Sequence, residues 1–149
     1  VFEGELAIVI KSLAKNVSAS DAPQVILGYT VANDVTARDA MTGGPWSRGK
    51  SFDTSCPLGP WITVDPTLDV TNLAIRSYLN GEKAQDSSTA HMIWSPFELV
   101  SYVSHQMTLL PGDVIVTGAP AGCGRVDAGD RVEIEIEGIG SLMNPVVRA

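Results

Sequence analysis

The chain opens on Val1-Phe2-Glu3-Gly4-Glu5-Leu6-Ala7-Ile8-Val9-Ile10, the stretch from which its fold is best argued. Polar and apolar residues alternate at first, and from Leu6 onward both faces become apolar. An alternation with a period of two is typical of a β-strand with one wet face, and apolar residues on both faces indicate a strand entering a buried sheet. The stretch therefore predicts a strand over residues 1–10.

The rest of the sequence predicts a β-dominated domain. Runs of strand length recur at residues 27–35, 61–64, 73–79, 82–85, 114–117, 131–137 and 139–147. Asn80-Gly81 separates two of these runs and suits the type I′ turn of a hairpin. The glycine-containing stretches 36–50 and 118–129 predict loops. The predicted class is α+β, with β-dominated mixed sheets and a few short helices.

One helix start is clearly marked. Ser95-Pro96-Phe97-Glu98 places a capping serine before a first-turn proline, with a glutamate three residues after the serine. Apolar residues follow at helical spacing to about Leu110, where Pro111-Gly112 ends the pattern. Another helix, between Asp21 and Gly28, can only be short because Pro23 interrupts it.

The composition fits one folded domain, taken as residues 1–149. A hydrophobic content of 44% and a charged content of 18% argue against disorder. The net charge of −7 and the lack of a basic stripe exclude broad binding to the phosphate backbone of nucleic acids. No apolar run reaches the roughly 18 residues that span a bilayer, so we expect no membrane partner.

Two features bear on the compartment and the extent of the chain. Cys56 and Cys123 are far apart and indicate no disulfide framework, so a reducing, cytoplasmic location is expected. Each is interpreted as a buried thiol, because the sequence identifies no adjacent base that would activate a nucleophile. The chain begins at Val1 inside a predicted strand, so we expect an upstream segment that carries part of the function.

Glu3 and Glu5 are the first candidate site residues. Residues two apart share one face of a strand, which places their Cβ atoms roughly 7 Å apart and lets two carboxylates converge on one cation. The sequence contains its own comparison, because Glu133, Glu135 and Glu137 alternate in the same way and are most simply a solvent-facing strand. From the pattern alone, the solvent-facing interpretation is slightly favoured for the first pair as well.

The next candidates follow the second predicted strand. Asp34 ends an otherwise apolar run, and Arg38 could hold a substrate carboxylate in bidentate fashion. On spacing alone, a local Asp–Arg salt bridge with Asp39 capping a turn is favoured. Gly49-Lys50-Ser51 resembles a phosphate-binding loop only superficially, because the upstream glycine is missing. Lys50 remains a candidate electrophile or proton carrier.

A glycine-rich stretch, residues 116–124, follows a predicted strand. Its backbone N–H groups, such as those of Thr117 and Gly118, could bind a carboxylate or enolate oxygen, but such stretches are more often simple turns. His91 and His105 have no partner at metal-site spacing and are interpreted as structural histidines.

Taken together and in this order, these segments resemble the fumarylacetoacetate hydrolase family. The resemblance rests on five collinear stretches, at residues 2–6, 28–39, 48–60, 107–118 and 138–146. It covers nearly the whole chain, and it favours a site role for Glu3 and Asp34 over the solvent-facing and salt-bridge interpretations. The family fold it implies is a β-roll or sandwich.

The resemblance also implies a set of site residues around a divalent metal ion, Mg²⁺ or Mn²⁺. The implied metal ligands are Glu3, Glu5 and Asp34. The implied catalytic residue, acting as a base or an electrostatic partner, is Lys50. The implied substrate-binding residues are Arg38, Thr54, Thr117 and Gly118.

Family members act on small 2-oxo acids by hydrolysing a C–C bond, by decarboxylation or by keto–enol isomerisation, as in acylpyruvate hydrolases, oxaloacetate decarboxylases and hydroxydienoate isomerases. The shared chemistry is an enolate stabilised by a metal ion. We therefore expect an enzyme, a homodimer, with a 2-oxo acid substrate. The alternative, from another class, is a catalytically silent module that binds a metal ion and a 2-oxo acid.

The sequence departs from the family at three points. Ala119 stands where members often carry threonine, and Met41 where some hydrolases place a polar substrate contact. A His-x-x-Glu segment found upstream in many members is not among these residues. If that segment is truly absent, rather than omitted from this chain, decarboxylation or isomerisation is easier to defend than hydrolysis.

Overall fold

Residues 1–148 are described by a computed structural model in which two sheets pack against each other. The first sheet contains β1 (Gly4–Ile10), β2 (Ile26–Asn33), β3 (Leu58–Thr63) and β6 (Val114–Val116), in the order β3-β2-β1-β6. The second contains β4 (Ala74–Leu79), β5 (Glu82–Ser88), β7 (Arg131–Ile136) and β8 (Gly140–Pro145), in the order β5-β4-β7-β8. Every strand pair is antiparallel.

The core lies between the two sheets. Leu6, Ile8 and Ile10 of β1 are buried in it, together with residues of β4 and β7 such as Ile75 and Ile134. Because side chains alternate along a strand, Glu3, Glu5 and the residues in phase with them lie on the outer face of the first sheet. The acidic pair thus faces away from the second sheet.

Helices are few and short in the described part of the chain. They are α1 (Ala22–Val25), α2 (Arg38–Met41), α3 (Ser47–Lys50) and α4 (Pro96–Gln106), with a 3₁₀ turn at Thr89–His91. The capping box predicted for α4 is present, because the Glu98 N–H donates to Ser95 Oγ and the Ser95 N–H donates to the Glu98 carboxylate at 2.7 Å. Within residues 1–148, none of the helices has the length and apolarity needed to cross a bilayer.

The predicted class, a β-dominated α+β fold, is confirmed, while several boundaries differ. The prediction of a plain loop over residues 36–50 was wrong, because this stretch folds into the single-turn helices α2 and α3. The helix α4 ends at Gln106 rather than near Leu110, since Met107 adopts an extended backbone conformation. The strand β5 continues to Ser88, beyond the predicted end at Gln85, because it remains paired with β4 up to Ala74.

At Gly4 the second sheet approaches β1 closely. A Cβ atom on Gly4 would lie 2.3 Å from Ser77 Oγ and 3.0 Å from Gln85 Oε1, well inside normal contact distances. The residue between Glu3 and Glu5 is therefore glycine because the second sheet occupies the space of a side chain. In β7 the corresponding residue, Ile134, is an ordinary core residue.

We expect Gly4→Ala to destabilise the protein by about 1–3 kcal/mol, the usual cost of overpacking a core. Urea unfolding measures the change. Gly44→Ala is the matched control, because the nearest atom to its new Cβ is Arg48 Cδ at an ordinary 3.4 Å. A Ser77→Ala background should reduce the cost of Gly4→Ala; equal costs in both backgrounds would contradict the assigned clash.

Candidate functional site

Three carboxylates gather where β1 begins and β2 ends. Glu3, Glu5 and Asp34 each offer one oxygen, and these oxygens lie within 4.8 Å of one another. Antiparallel pairing produces this arrangement, since Gly4 pairs with Asn33 and the Asp34 N–H donates to the Glu3 carbonyl at 2.9 Å. Residues thirty positions apart in sequence thus become neighbours on the outer face of the first sheet.

Lys50 is the cation of this cluster. Its Nζ donates to Glu3 Oε2 at 2.8 Å and also to the Asp34 carboxylate. The helix α3 carries Lys50 to the cluster, and the Ser55 hydroxyl secures it by donating to the Lys50 carbonyl at 2.7 Å. Desolvation alone would lower the pKa of Lys50, but hydrogen bonds and charges from Asp34 and Glu3 together raise it above its ordinary value. Lys50 is therefore an ammonium at neutral pH.

Glu5 is the most buried carboxylate of the three, with only 3% of its surface exposed. The backbone N–H of Gly118 donates to its Oε2 at 2.6 Å. Burial raises the pKa of Glu5 to about 7, outweighing the Gly118 hydrogen bond, and the neighbouring charges of Asp34 and Glu3 act in the same direction. A proton or another positive charge is thus favoured on this side of the cluster.

The predicted substrate-binding residues have different surroundings. Arg38 is exposed at the start of α2, and among the described residues it forms no ion pair, so the local salt bridge to Asp34 is absent. Thr54 is exposed as well, with a φ of +65°. The Thr117 hydroxyl donates to the Leu6 carbonyl at 2.9 Å. The Thr117 hydroxyl and the Gly118 N–H are therefore engaged with β1 itself.

The sequence interpretation of the cysteines was wrong for Cys56, which is exposed, whereas Cys123 is half-buried. Cys56 follows the turn that contains Ser55 and lies outside both sheets. The histidines are also on the surface, where His105 Nδ1 contacts the Ser101 carbonyl within α4. The buried thiol was expected from the usual behaviour of free cysteine, and turn placement overrides that tendency.

Gln85 is a residue that the sequence interpretation missed. It is fully buried and forms hydrogen bonds with β1 and with the glycine-rich loop. The available signal is a glutamine at the end of a predicted hairpin strand, where a polar side chain can face inward only if it finds partners. The sequence alone does not show which partners these are.

The donor set fits a hard divalent cation. Carboxylate oxygens are the ligands that Mg²⁺ and Mn²⁺ prefer in proteins. Three ionised carboxylates and one ammonium leave a formal charge of −2, which a dication would neutralise. The pKa of Glu5 is raised mainly by burial and further by the charges of Asp34 and Glu3, so a nearby cation would favour its ionised form.

Comparisons with known proteins agree with this fold and show the family. A sequence model described as fumarylacetoacetate (FAA) hydrolase C-terminal matches residues 1–147. The chain therefore belongs to the fumarylacetoacetate hydrolase family. Protein Rv2993c of Mycobacterium tuberculosis is 52% identical over an alignment of 149 positions, which covers 99% of this chain and 56% of the relative. The mitochondrial oxaloacetate tautomerase FAHD2B of Homo sapiens is 44% identical over 157 residues, covering 98% of this chain and 50% of that protein.

Solved structures show the same fold. The 2-hydroxyhepta-2,4-diene-1,7-dioate isomerase of Mycobacterium marinum is 53% identical, with a TM-score of 0.95 over 99% of this chain and 58% of that one. The fumarylpyruvate hydrolase of Pseudomonas aeruginosa, solved in complex with Mn²⁺ and pyruvate, is 36% identical, with a TM-score of 0.93. The match covers 99% of this chain and 66% of the hydrolase chain. The chain thus spans little more than half the length of most of these relatives.

The raised pKa of Glu5 predicts a pH-dependent stability in the presence of a chelator. Because the pKa of Glu5 is about 7 in the folded protein and its ordinary value is 4.5, the stability present at low pH is lost as pH rises from about 4.5 to 7. The shift corresponds to about 3 kcal/mol. We measure the free energy of unfolding of Glu5→Gln and of wild type by urea unfolding at about pH 4 and about pH 8. The difference, variant minus wild type, should increase by about that amount from about pH 4 to about pH 8. Glu135→Gln, an exposed change in β7, should show no such trend. A pH-independent difference for Glu5→Gln would refute the assignment.

Proposed function

We propose that this protein is a divalent-metal-dependent enzyme that interconverts the keto and enol forms, or the double-bond isomers, of a small 2-oxo acid. The observation that carries the proposal is the convergence of Glu3, Glu5 and Asp34, with Lys50 in contact with two of them. Membership of a family whose members bear the names of 2-oxo acid enzymes supports it.

Glu3, Glu5 and Asp34 would hold the ion, Mg²⁺ or Mn²⁺. A divalent ion supplies a Lewis acid that stabilises negative charge developing on a bound 2-oxo acid. A relative solved with Mn²⁺ and pyruvate supports both the class of ion and the class of ligand. The preference between the two ions is a matter for experiment.

Lys50 is the residue placed to handle charge and protons. As an ammonium it donates to Glu3 and Asp34, and it lies at the boundary between the buried carboxylates and solvent. In this protonated form it is a cationic partner for a substrate carboxylate or a proton donor, and it acts as a base only after losing its proton. Isomerisation needs one proton removed beside the 2-oxo group and one returned elsewhere, which a single protonatable amine can mediate.

The names of the relatives indicate which type of reaction to expect. Those above 40% identity include an oxaloacetate tautomerase and a 2-hydroxyhepta-2,4-diene-1,7-dioate isomerase, while the fumarylpyruvate hydrolase is 36% identical. This ranking favours a proton shift over C–C hydrolysis or decarboxylation. Binding of substrate by Arg38, Thr54, Thr117 and Gly118 stays a prediction. So do a homodimer and a cytoplasmic location.

Turnover assays test the function. We expect Mn²⁺- or Mg²⁺-dependent conversion of oxaloacetate or a hydroxydienoate, followed by the change in enol absorbance, with acylpyruvate cleavage and decarboxylation assayed in parallel. Glu3→Ala should lower kcat/KM by more than about a hundredfold, because even outer-shell partners of a metal cost 10–100-fold. Lys50→Ala should lower kcat while Mn²⁺ still binds.

Glu133→Ala is the matched control, because Glu133 belongs to the other alternating acidic strand and should leave turnover unchanged. Unchanged activity in Glu3→Ala would reject the site. Binding of Mn²⁺ and oxalate by wild type without any product would instead support the silent binding module. Product formation only from acylpyruvates would replace isomerisation with hydrolysis.

Metal affinity should depend on pH, because a metal ion competes with the proton on Glu5. With a pKa of about 7 for that carboxyl, Mn²⁺ should bind about tenfold more tightly at pH 8 than at pH 6. Calorimetry in two buffers of different ionisation enthalpy should show release of nearly one proton at pH 6. Equal affinities and no proton release would mean that Glu5 is not a ligand.

A further inference from the structure

Both the oxygen and the nitrogen of the Gln85 side-chain amide form hydrogen bonds within the protein. Its Oε1 accepts from the Gly4 N–H at 3.1 Å and from the Ser77 hydroxyl at 2.5 Å. Its Nε2 donates to the Pro120 carbonyl at 2.8 Å and to Cys123 Sγ at 3.5 Å. The side chain is fully buried. A buried amide with four partners is an ordered crosslink, because losing any partner leaves a polar group unpaired.

The partners of Gln85 lie on both sides of the carboxylate Glu5. Gly4 is the residue between Glu3 and Glu5, and Pro120 is two residues after Gly118, whose N–H holds the Glu5 carboxylate. One side chain of the second sheet thus contacts both the strand that carries the acids and the loop that orients one of them.

The strand ladder does not supply this contact. The strand β6 pairs with β1 only over Ala7–Val9, so it ends before it reaches Gly4. Gln85 provides the acceptor for the Gly4 N–H beyond the end of that pairing. An unpaired N–H at this place would leave the backbone between the two glutamates less firmly fixed.

The glycine-rich loop fits closely against the same residue. A Cβ on Gly122 would lie 2.1 Å from the Ala84 carbonyl oxygen and 3.2 Å from Gln85 Cγ. The φ of Gly122 is +106°, which also favours glycine. Both glycines, Gly4 and Gly122, therefore allow their backbone to approach the Gln85 side chain closely.

We propose that Gln85 is a positioning residue that fixes the geometry of the metal-binding carboxylates by joining β1 to the glycine-rich loop. The inference rests on the proposed function. It adds a residue of the second sheet, outside the cluster itself, to the determinants of metal affinity. Gln85 touches neither metal nor substrate and acts through Gly4 and the loop.

Gln85→Met tests the proposal, because methionine fills a similar volume and forms none of the four hydrogen bonds. We expect the Kd for Mn²⁺, measured by calorimetry, to increase about tenfold, the lower end of the effect of outer-shell partners. The Mn²⁺ concentration for half-maximal turnover should increase by the same factor, with most of kcat recovered at saturation. Gln85→Asn, a milder change that shortens the side chain, should weaken binding in the same direction and serves if the methionine variant does not fold.

Thr89→Val is the matched control. Thr89 is also buried and its hydroxyl accepts from the Leu73 N–H at 2.8 Å, and its backbone groups bond to Leu73 and Met92 rather than to Gly4 or the loop. It should lower Tm and leave the Kd for Mn²⁺ within twofold of wild type. If wild type binds Mn²⁺ and both Gln85 variants bind it equally well despite a lower Tm, Gln85 is merely structural and the inference is overturned. If wild type itself binds no Mn²⁺, the proposed function fails first.

Discussion

Three carboxylates held within 4.8 Å of one another repel, and most of the site is arranged around that repulsion. Two unit charges at this distance repel by about 3 kcal/mol at an effective dielectric constant of about 20. Lys50 offsets the charges of Glu3 and Asp34. Glu5 accepts a hydrogen bond from the Gly118 N–H, but burial, with the charges of Asp34 and Glu3 acting in the same direction, raises its pKa to about 7. A dication bound between the three carboxylates would offset their mutual repulsion, so the cluster is suited to binding one.

The second sheet maintains this arrangement although it contributes none of the acids. It approaches β1 at Gly4, where the absence of a side chain leaves room for Ser77 and Gln85. Like charges placed on neighbouring strands would move apart if the backbone between them could shift. A fully hydrogen-bonded amide at that place opposes such a shift, and it does so from the protein interior, where water does not compete for its bonds.

Much of the fold could be predicted from local patterns. The strand β1, the turn at Asn80-Gly81 and the capped helix α4 follow from alternation and capping chemistry, which act over a few residues. The acid pair could not be assigned from its spacing, because β7 carries the same alternation. What distinguishes the two strands is the residue between the glutamates, Gly4 in one and Ile134 in the other, and its meaning depends on the packing of a distant sheet. Gln85 was missed for the same reason, since three of its four partners, Gly4, Pro120 and Cys123, are 35 to 81 residues away.

The site draws its charged groups from two kinds of scaffold. Glu5 lies in β1, and Glu3 and Asp34 lie directly before β1 and directly after β2, whereas Lys50 comes from a segment between β2 and β3 whose helices are single turns. Paired strands tolerate few insertions, but surface segments of that kind tolerate many. Divergence within the family can therefore alter the lysine-bearing segment while the strands that carry the acids stay intact. A shared pair of acid-bearing strands could in this way be combined with different lysine-bearing segments in different enzymes of the family.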